Sequence, residues 1–279
     1  MNETALQGER PWEQPLWKPA QGQAGVLFFL VIIHVLAAIG IIFFPLPNWK
    51  VIVLSALVAV LGGIGTTVGY HRTLAHRTLK LNKYLQHTLI FWAMFNGSGA
   101  PASWVAYHRR HHSCSDTPDD VSSPKHGGFW WAHLRWLYQS PLADEKRWCS
   151  DLGTSSYKFW THAQAPLLLV SIFCGLPLGW PAFFWLGAIR LVYSLHNQCL
   201  VNSVMHLGYS EEGDSSKNLW WLGPFQLGAW GENWHHNHHS AAGSARIGWY
   251  WWQVDVGWYF IRAMQSLGLA SSIKEHRLS

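Results

Sequence analysis

Residues 26–44 read VLFFLVIIHVLAAIGIIFF, nineteen positions without a formal charge. At about 1.5 Å of rise per residue such a helix spans about 28 Å, close to the roughly 30 Å hydrocarbon core of a bilayer. Pro45-Leu46-Pro47-Asn48 breaks the run, and residues 51–68 (VIVLSALVAVLGGIGTTV) repeat the pattern. A third apolar stretch covers about 159–178, and Gly179-Trp180-Pro181 turns it into a fourth, about 182–201. The expected fold is therefore an all-α integral membrane protein, with four transmembrane helices in two hairpins. Lys and Arg number eleven between Gly69 and Gln164, one in the first turn and none in the second. The positive-inside rule then puts both termini and the segments 69–158 and 202–279 in the cytoplasm, within one domain covering 1–279. Residues 85–105 are also apolar, but Asn96, Gly97, Ser98, Gly99 and Pro101 interrupt them. They read as helix at or dipping into the interface, not as a fifth crossing.

Composition agrees with that placement. Of 279 residues only 13% are charged, half the share of an ordinary soluble domain, and 49% are hydrophobic. Aromatic residues at 15% exclude a disordered chain. Four cysteines without CxxC spacing indicate neither a disulfide framework nor a zinc ribbon. A net charge of +5 without a basic run gives no nucleic-acid surface. The first residues, MNETALQGERPWEQPLWKP, lack the basic-then-apolar order of a signal peptide. Two counts are abnormal: 20 Trp, a residue of membrane–water interfaces, and 17 His, the usual transition-metal ligand.

The histidines are grouped. His71 and His76 form HxxxxH where the second span ends; His108, His111 and His112 form HxxHH; His235, His238 and His239 form another. On an α-helix positions i, i+3 and i+4 share a face, so each HxxHH is expected to aim three imidazoles at one place. Positions i and i+5 lie about 140° apart, which suits a helix end reaching two neighbouring ions. Asn202 and His206, at i and i+4, end the fourth span. Eight imidazoles are twice what one tetrahedral zinc accepts; with His206 as a ninth and Asn202 holding a water they suit two five- or six-coordinate ions. Imidazole-rich sites fit iron, copper or nickel better than calcium or magnesium. Asp116, Asp119, Asp120 and Glu232 are candidates to hold the outer imidazole N–H groups. His236 points off the ligand face, and His34, His87, His126, His133, His162 and His276 read as structural. His196, inside the fourth span, is a candidate neighbour of the site.

Taken together, GYHRTLAHR (69–77), WVAYHRRHH (104–112), GGFWWAHLRW (127–136), LVNSVMH (200–206), GENWHHNHH (231–239) and SARIGWYWWQVD (244–255) resemble the membrane-bound fatty acyl desaturases of the delta-9 type. The resemblance covers about Val51–Leu269. It implies a mushroom-like helical fold whose cytoplasmic cap holds a di-iron centre. It also implies that His71, His76, His108, His111, His112, His206, His235, His238 and His239 ligate two irons, with Asn202 acting through water. Trp104, by its position, would line the acyl tunnel. The sequence departs from the pattern at three places. Gln198 stands where relatives usually carry Thr, which bears on the tunnel's bend. Val121-Ser122 follow Asp120 where relatives have Pro-His, which bears on head-group recognition. His236 replaces a frequent Asn.

The implied reaction introduces a cis double bond into a saturated acyl chain carried on CoA or lipid, with O₂ reduced to water. Neither GxGxxG nor His-Pro-Gly-Gly occurs, so electrons are expected from a separate protein, a ferredoxin or a cytochrome b5-like donor. Arg135, Lys146 and Arg147 are candidates to dock it, or to meet membrane lipid. Arg109 and Arg110 are candidates for a phosphate of the carrier, and Arg190 for a snorkelling or paired cation. The closest rival is a hydroxylase on the same scaffold, separable by product mass. A haem-binding electron-transfer subunit would need paired His inside the spans, where only His34 and His196 lie. A metal transporter would show flux without O₂ use.

Overall fold

The computed structural model describes residues 10–208, 214–223 and 230–276; the N-terminal nine residues of the polar start lie outside them. Helix α1 covers Ala24–Phe43. After the Pro45–Pro47 break, Asn48 caps α2 by accepting from the Lys50 amide, and α2 runs Trp49–Ile64. The chain continues without interruption as a π-helix, Gly65–Ala75, so the helical rod has 27 residues. Lys83–Phe95 is α3, capped by Asn82. Pro101–Ser113 is α4, with Pro at its first turn. The break between them falls at residues 96–100, where the sequence places it. Ser155–Phe173 forms α5, and the helical run resuming at Trp180 becomes α6, Arg190–Ser203, after a π-wound stretch Phe183–Ile189. Short α7 (His235–Ser240) carries the third histidine group, and α8 (Val256–Ser266) follows. The only sheet among the described residues is two-stranded, with Lys80 opposite Ser271 and Leu81 opposite Ala270.

Three helices are long and apolar enough to cross a membrane: Ala24–Phe43, Trp49–Ala75 and Ser155–Leu178. The expected fourth crossing exists as helix but is not among these three. Arg190, His196, Asn197 and Gln198 lower its hydropathy, and its burial explains them, because α6 and the turn before it pack between α1, α2 and α5. Arg190 is 2% exposed and does not snorkel. It donates to Asn96 Oδ1 at 2.6 Å, to the Phe95 carbonyl at 3.2 Å and to the Leu186 carbonyl at 2.6 Å. A buried cation thereby ties the residue-96 turn to α6.

The α2–α3 contact decides where the first histidines stand. Gly65 allows it: a Cβ there would lie 2.5 Å from the Leu89 carbonyl and 2.6 Å from the Ala93 amide. Around this contact Tyr70, Leu74, Ile90, Ala93, Met94, Val105 and Ala106 form a core, which locks α3 and α4 against the end of the α2 rod.

Candidate metal centre

Nine imidazoles converge in two groups. His71, His76, His108, His112 and His238 form one; His111, His206, His235 and His239 form the other, with potential ligand atoms within 4.8 Å of one another in each. The partition differs from the sequence reading in two ways. First, His71 and His76 belong to the same group rather than to two ions. The segment is wound as a π-helix, the His76 amide donates to the His71 carbonyl at 3.1 Å, and residue i+5 therefore returns to the same side. Second, each HxxHH is split. The i, i+4 pair His108/His112 faces the five-imidazole group while His111 faces the other. His235/His239 face the four-imidazole group while His238 crosses back. Each helix thus holds both pockets at a fixed separation.

The pockets fit cations. Nε2–Nε2 separations are 2.7 Å for His76–His108, 3.0 Å for His71–His238, 2.9 Å for His238–His112 and 2.9 Å for His206–His235. In four histidines the other ring nitrogen donates to a carboxylate: His71 to Glu232 at 2.9 Å, His111 to Asp120 at 2.8 Å, His206 to Asp116 at 3.1 Å and His239 to Asp214 at 3.2 Å. In these four the proton is assigned to Nδ1, so their Nε2 lone pairs point into the pockets and, for His111 and His239 at 3.4 Å, at each other, an arrangement that a shared cation relieves. Burial, with the neighbouring imidazoles, drives the pKa of His76, His108, His112, His235 and His238 well below the ordinary range, which leaves them neutral and able to ligate. Burial likewise lowers His239 to about 4 against the pull of Asp214. His111 goes the other way: burial opposes its charge, but Asp120 leads three carboxylates that outweigh it. Burial alone would raise Asp116, Asp120, Asp214 and Glu232, yet their imidazole partners hold all four below the usual carboxylate range.

Of the acids singled out in the sequence, Asp116, Asp120 and Glu232 reach an imidazole; Asp119 is exposed and offers its carbonyl to Arg110. Asp214 was missed. It follows His206 by eight residues in a Ser/Gly-rich loop, without periodicity to reveal it. Also unforeseen is the buried pair of Arg72 with Asp255, 2.9 Å apart, in which Arg72 stands 3.7 Å from Glu232. Asp255 further caps α8 through the Trp258 amide.

A cavity of about 650 Å³ meets the pockets, bordered by His71, His108, His111, His235, Glu232 and Asn202, and elsewhere by apolar residues such as Leu30, Ala59, Met94 and Leu168. Trp104 lines it and stacks on His108, ring centroids 4.9 Å apart. Gln198 lines it too, accepting from Ser98 Oγ at 3.0 Å, while Ser98 meets Thr66 at 2.8 Å. Arg109 and Arg110 do not border this cavity. Arg109 spends its donors on the Leu74, Ala75 and Trp148 carbonyls and on Asp151, pinning the end of the α2 rod to α4. His196 bonds to His34 at 3.1 Å and His133 at 2.8 Å rather than to either pocket.

His236 is exposed and meets Ser216 Oγ at 3.2 Å, outside both groups. The variant His236→Asn is expected to keep its bound metal and most activity. Metal loss comparable to that of His238→Ala would show the register of the third group to be wrong.

A family profile described as fatty acid desaturase matches residues 47–255. Among curated relatives, the sn-1 stearoyl-lipid 9-desaturase of Synechocystis sp. is 38% identical over 262 residues, 89% of this chain and 79% of that protein. Delta-9 acyl-lipid desaturase 2 of Arabidopsis thaliana is 35% identical over 251 residues, 87% and 80% of the two chains. An acyl-CoA 5-desaturase of Anemone leveillei is 39% identical over 241 residues, 81% and 73%. The nine-imidazole site, the adjoining apolar cavity and these matches agree: the chain belongs to the fatty acid desaturase family.

Proposed function

We propose that this enzyme inserts a cis double bond at the delta-9 position of a saturated acyl chain, using O₂ and two irons held by the nine histidines. The observation that carries it is the contact between two imidazole pockets and one apolar cavity. His71, His76, His108, His112 and His238 would hold one iron. His111, His206, His235 and His239 would hold the other, with Asn202, at the cavity wall beside His111 and His235, orienting a water. Bound iron supplies the oxidising chemistry that no side chain provides, O₂ leaving as two waters after two hydrogens from the substrate and two electrons and two protons from outside.

The protein's own share is positional. Trp104, flat against His108, forms a wall that keeps the reacting carbons beside the pockets and excludes water. Gln198, Ser98 and Thr66 place a hydrogen-bonded polar set in the cavity wall, where it shapes the bend of the chain. Glu232, Asp116, Asp120 and Asp214 fix imidazole tautomers and orientations. Delta-9 placement follows the two relatives so named; the carrier is an acyl-lipid by the same likeness. Electrons come from a separate ferredoxin or cytochrome b5-like protein.

We read the chain as one membrane domain with four crossings, the fourth being the helix from Trp180 to Ser203, and with the histidine cap in the cytoplasm. Reporter fusions at residues 48 and 179 should read outside, and those near 125 and 279 inside. A fusion at 125 on the outer face would sink the topology. For the reaction, expression in cells lacking unsaturated fatty acids should restore growth and yield products two mass units lighter than the saturated chain, cleaved by double-bond analysis at carbon 9. Products heavier by one oxygen would identify a hydroxylase.

A further inference from the structure

A second cleft borders the five-imidazole pocket at His76. A cleft of about 440 Å³ is lined by His76, Arg77, Arg109, Trp148 and the loop at Gly243, and shares no lining residue with the acyl cavity. It lies where the last residue of the first histidine group meets the loop after the third. Among the described residues two arginines line it and no acid does. Asp151 pairs with both, 2.9 Å from Arg77 and 2.7 Å from Arg109, so one carboxylate faces two guanidiniums and one positive charge stays unbalanced at the rim. Arg77 has 61% of its side chain exposed, and its backbone is held in the left-handed region at φ 52°, unusual for a residue with a Cβ. That conformation recurs at functional sites because surrounding structure must enforce it. Arg109 serves the packing of the α2 rod on α4, but neither that packing nor the acyl cavity accounts for Arg77 at the exposed rim beside His76.

We propose that this cleft is the docking port for an acidic one-electron carrier protein, with His76 the nearest edge of the centre to the carrier. The inference rests on the di-iron reading above and adds where its electrons enter. Each encounter oxidises the carrier by one electron and reduces one ferric ion to ferrous, with no bond made or broken, so two encounters serve each double bond. Transfer weakens steeply with distance, which favours the thinnest protein layer over a ligand. The unbalanced positive charge selects an acidic face on the partner. Because the cleft and the acyl cavity are separate, carrier and substrate can bind together.

The test compares the iron-loaded enzyme with Gly243→Trp and Arg77→Glu. A Cβ on Gly243 would meet nothing within 4 Å, so a tryptophan there adds bulk at the cleft wall without a backbone clash. Arg77→Glu reverses the rim charge and leaves the Arg109–Asp151 pair in place. Three quantities are read: iron per chain, rate of reduction by dithionite, and affinity and rate with a reduced plant-type [2Fe–2S] ferredoxin. Both variants should keep iron and dithionite reduction, while ferredoxin affinity and reduction fall about tenfold or more. Raising the salt should weaken ferredoxin binding to the unsubstituted enzyme. Unchanged ferredoxin rates in Gly243→Trp would overturn the port. So would Arg77→Glu losing only its adhesion to phosphatidylserine vesicles, which would make the rim a lipid contact. If Gly243→Trp loses iron, Arg77→Glu decides alone. An unsubstituted enzyme without iron would instead sink the di-iron reading.

Discussion

His206→Ala is expected to abolish desaturation and to cut bound iron from about two per chain toward one. The four-imidazole pocket would fall to three donors and hold its ion more weakly than its five-imidazole neighbour. Asp116, which accepts from His206 Nδ1 and from the Ser215 amide at 2.7 Å, would lose its histidine partner at the same time. The protein should still insert in the membrane, since His206 lies past the end of α6. Asn202→Ala separates the roles: it should keep more iron yet lose activity, because a bound water is easier to replace than an imidazole. Iron per protein and product yield, measured on both variants in the same preparation, decide the matter. Full activity in His206→Ala would remove it from the site.

Arg190→Leu should lower stability instead, by roughly 2–5 kcal/mol, a large part of the 5–15 kcal/mol that holds an ordinary domain together. The leucine removes a charged donor from two acceptors deep in the bundle: Asn96 Oδ1, which keeps only Ser194 Oγ, and the Phe95 carbonyl, which keeps only Ser171 Oγ. Each hydrogen bond lost from a charged donor costs about 1.5–3 kcal/mol. In detergent the unfolding midpoint should drop by roughly 5–15 °C, while the folded fraction keeps its iron. A variant as stable as the parent would show that the guanidinium does not hold the residue-96 turn.

What was legible in the sequence followed from composition and local chemistry. The charge-free run at 26–44 became a helix at Ala24–Phe43, and the Asn/Gly/Ser/Pro cluster at 96–101 became the break between α3 and α4. That many histidines gather was readable from their number and spacing. How they divide was not: the 3.6-residue period does not hold for residues 65–75, where the chain is π-wound, and each α-helical HxxHH lies between two pockets that its own spacing does not reveal. Hydrogen bonds i to i+5 are set by packing against α3, which no local spacing encodes. Asp214 escaped for a related reason: one of three acids in a polar stretch of sequence becomes significant only when the fold brings His239 to it. Arg109 resembled a phosphate ligand by its neighbours in sequence, yet the carbonyls that take up its donors belong to residues 74, 75 and 148.

The carboxylates described around the two pockets are unequally shared. Three of them, Asp116, Asp120 and Asp214, stand behind the four-imidazole pocket; one, Glu232, stands behind the five-imidazole pocket, with Arg72 3.7 Å away to offset it. Negative charge nearby stabilises an ion the more, the higher the ion's own charge. Two chemically identical ions placed here would therefore have different potentials, the one among the aspartates holding its trivalent state more firmly. A half-reduced enzyme would be a localised mixed-valence species, its extra electron on the side of His71, His76 and His238, and its magnetic spectrum would show two distinct sites rather than one averaged pair.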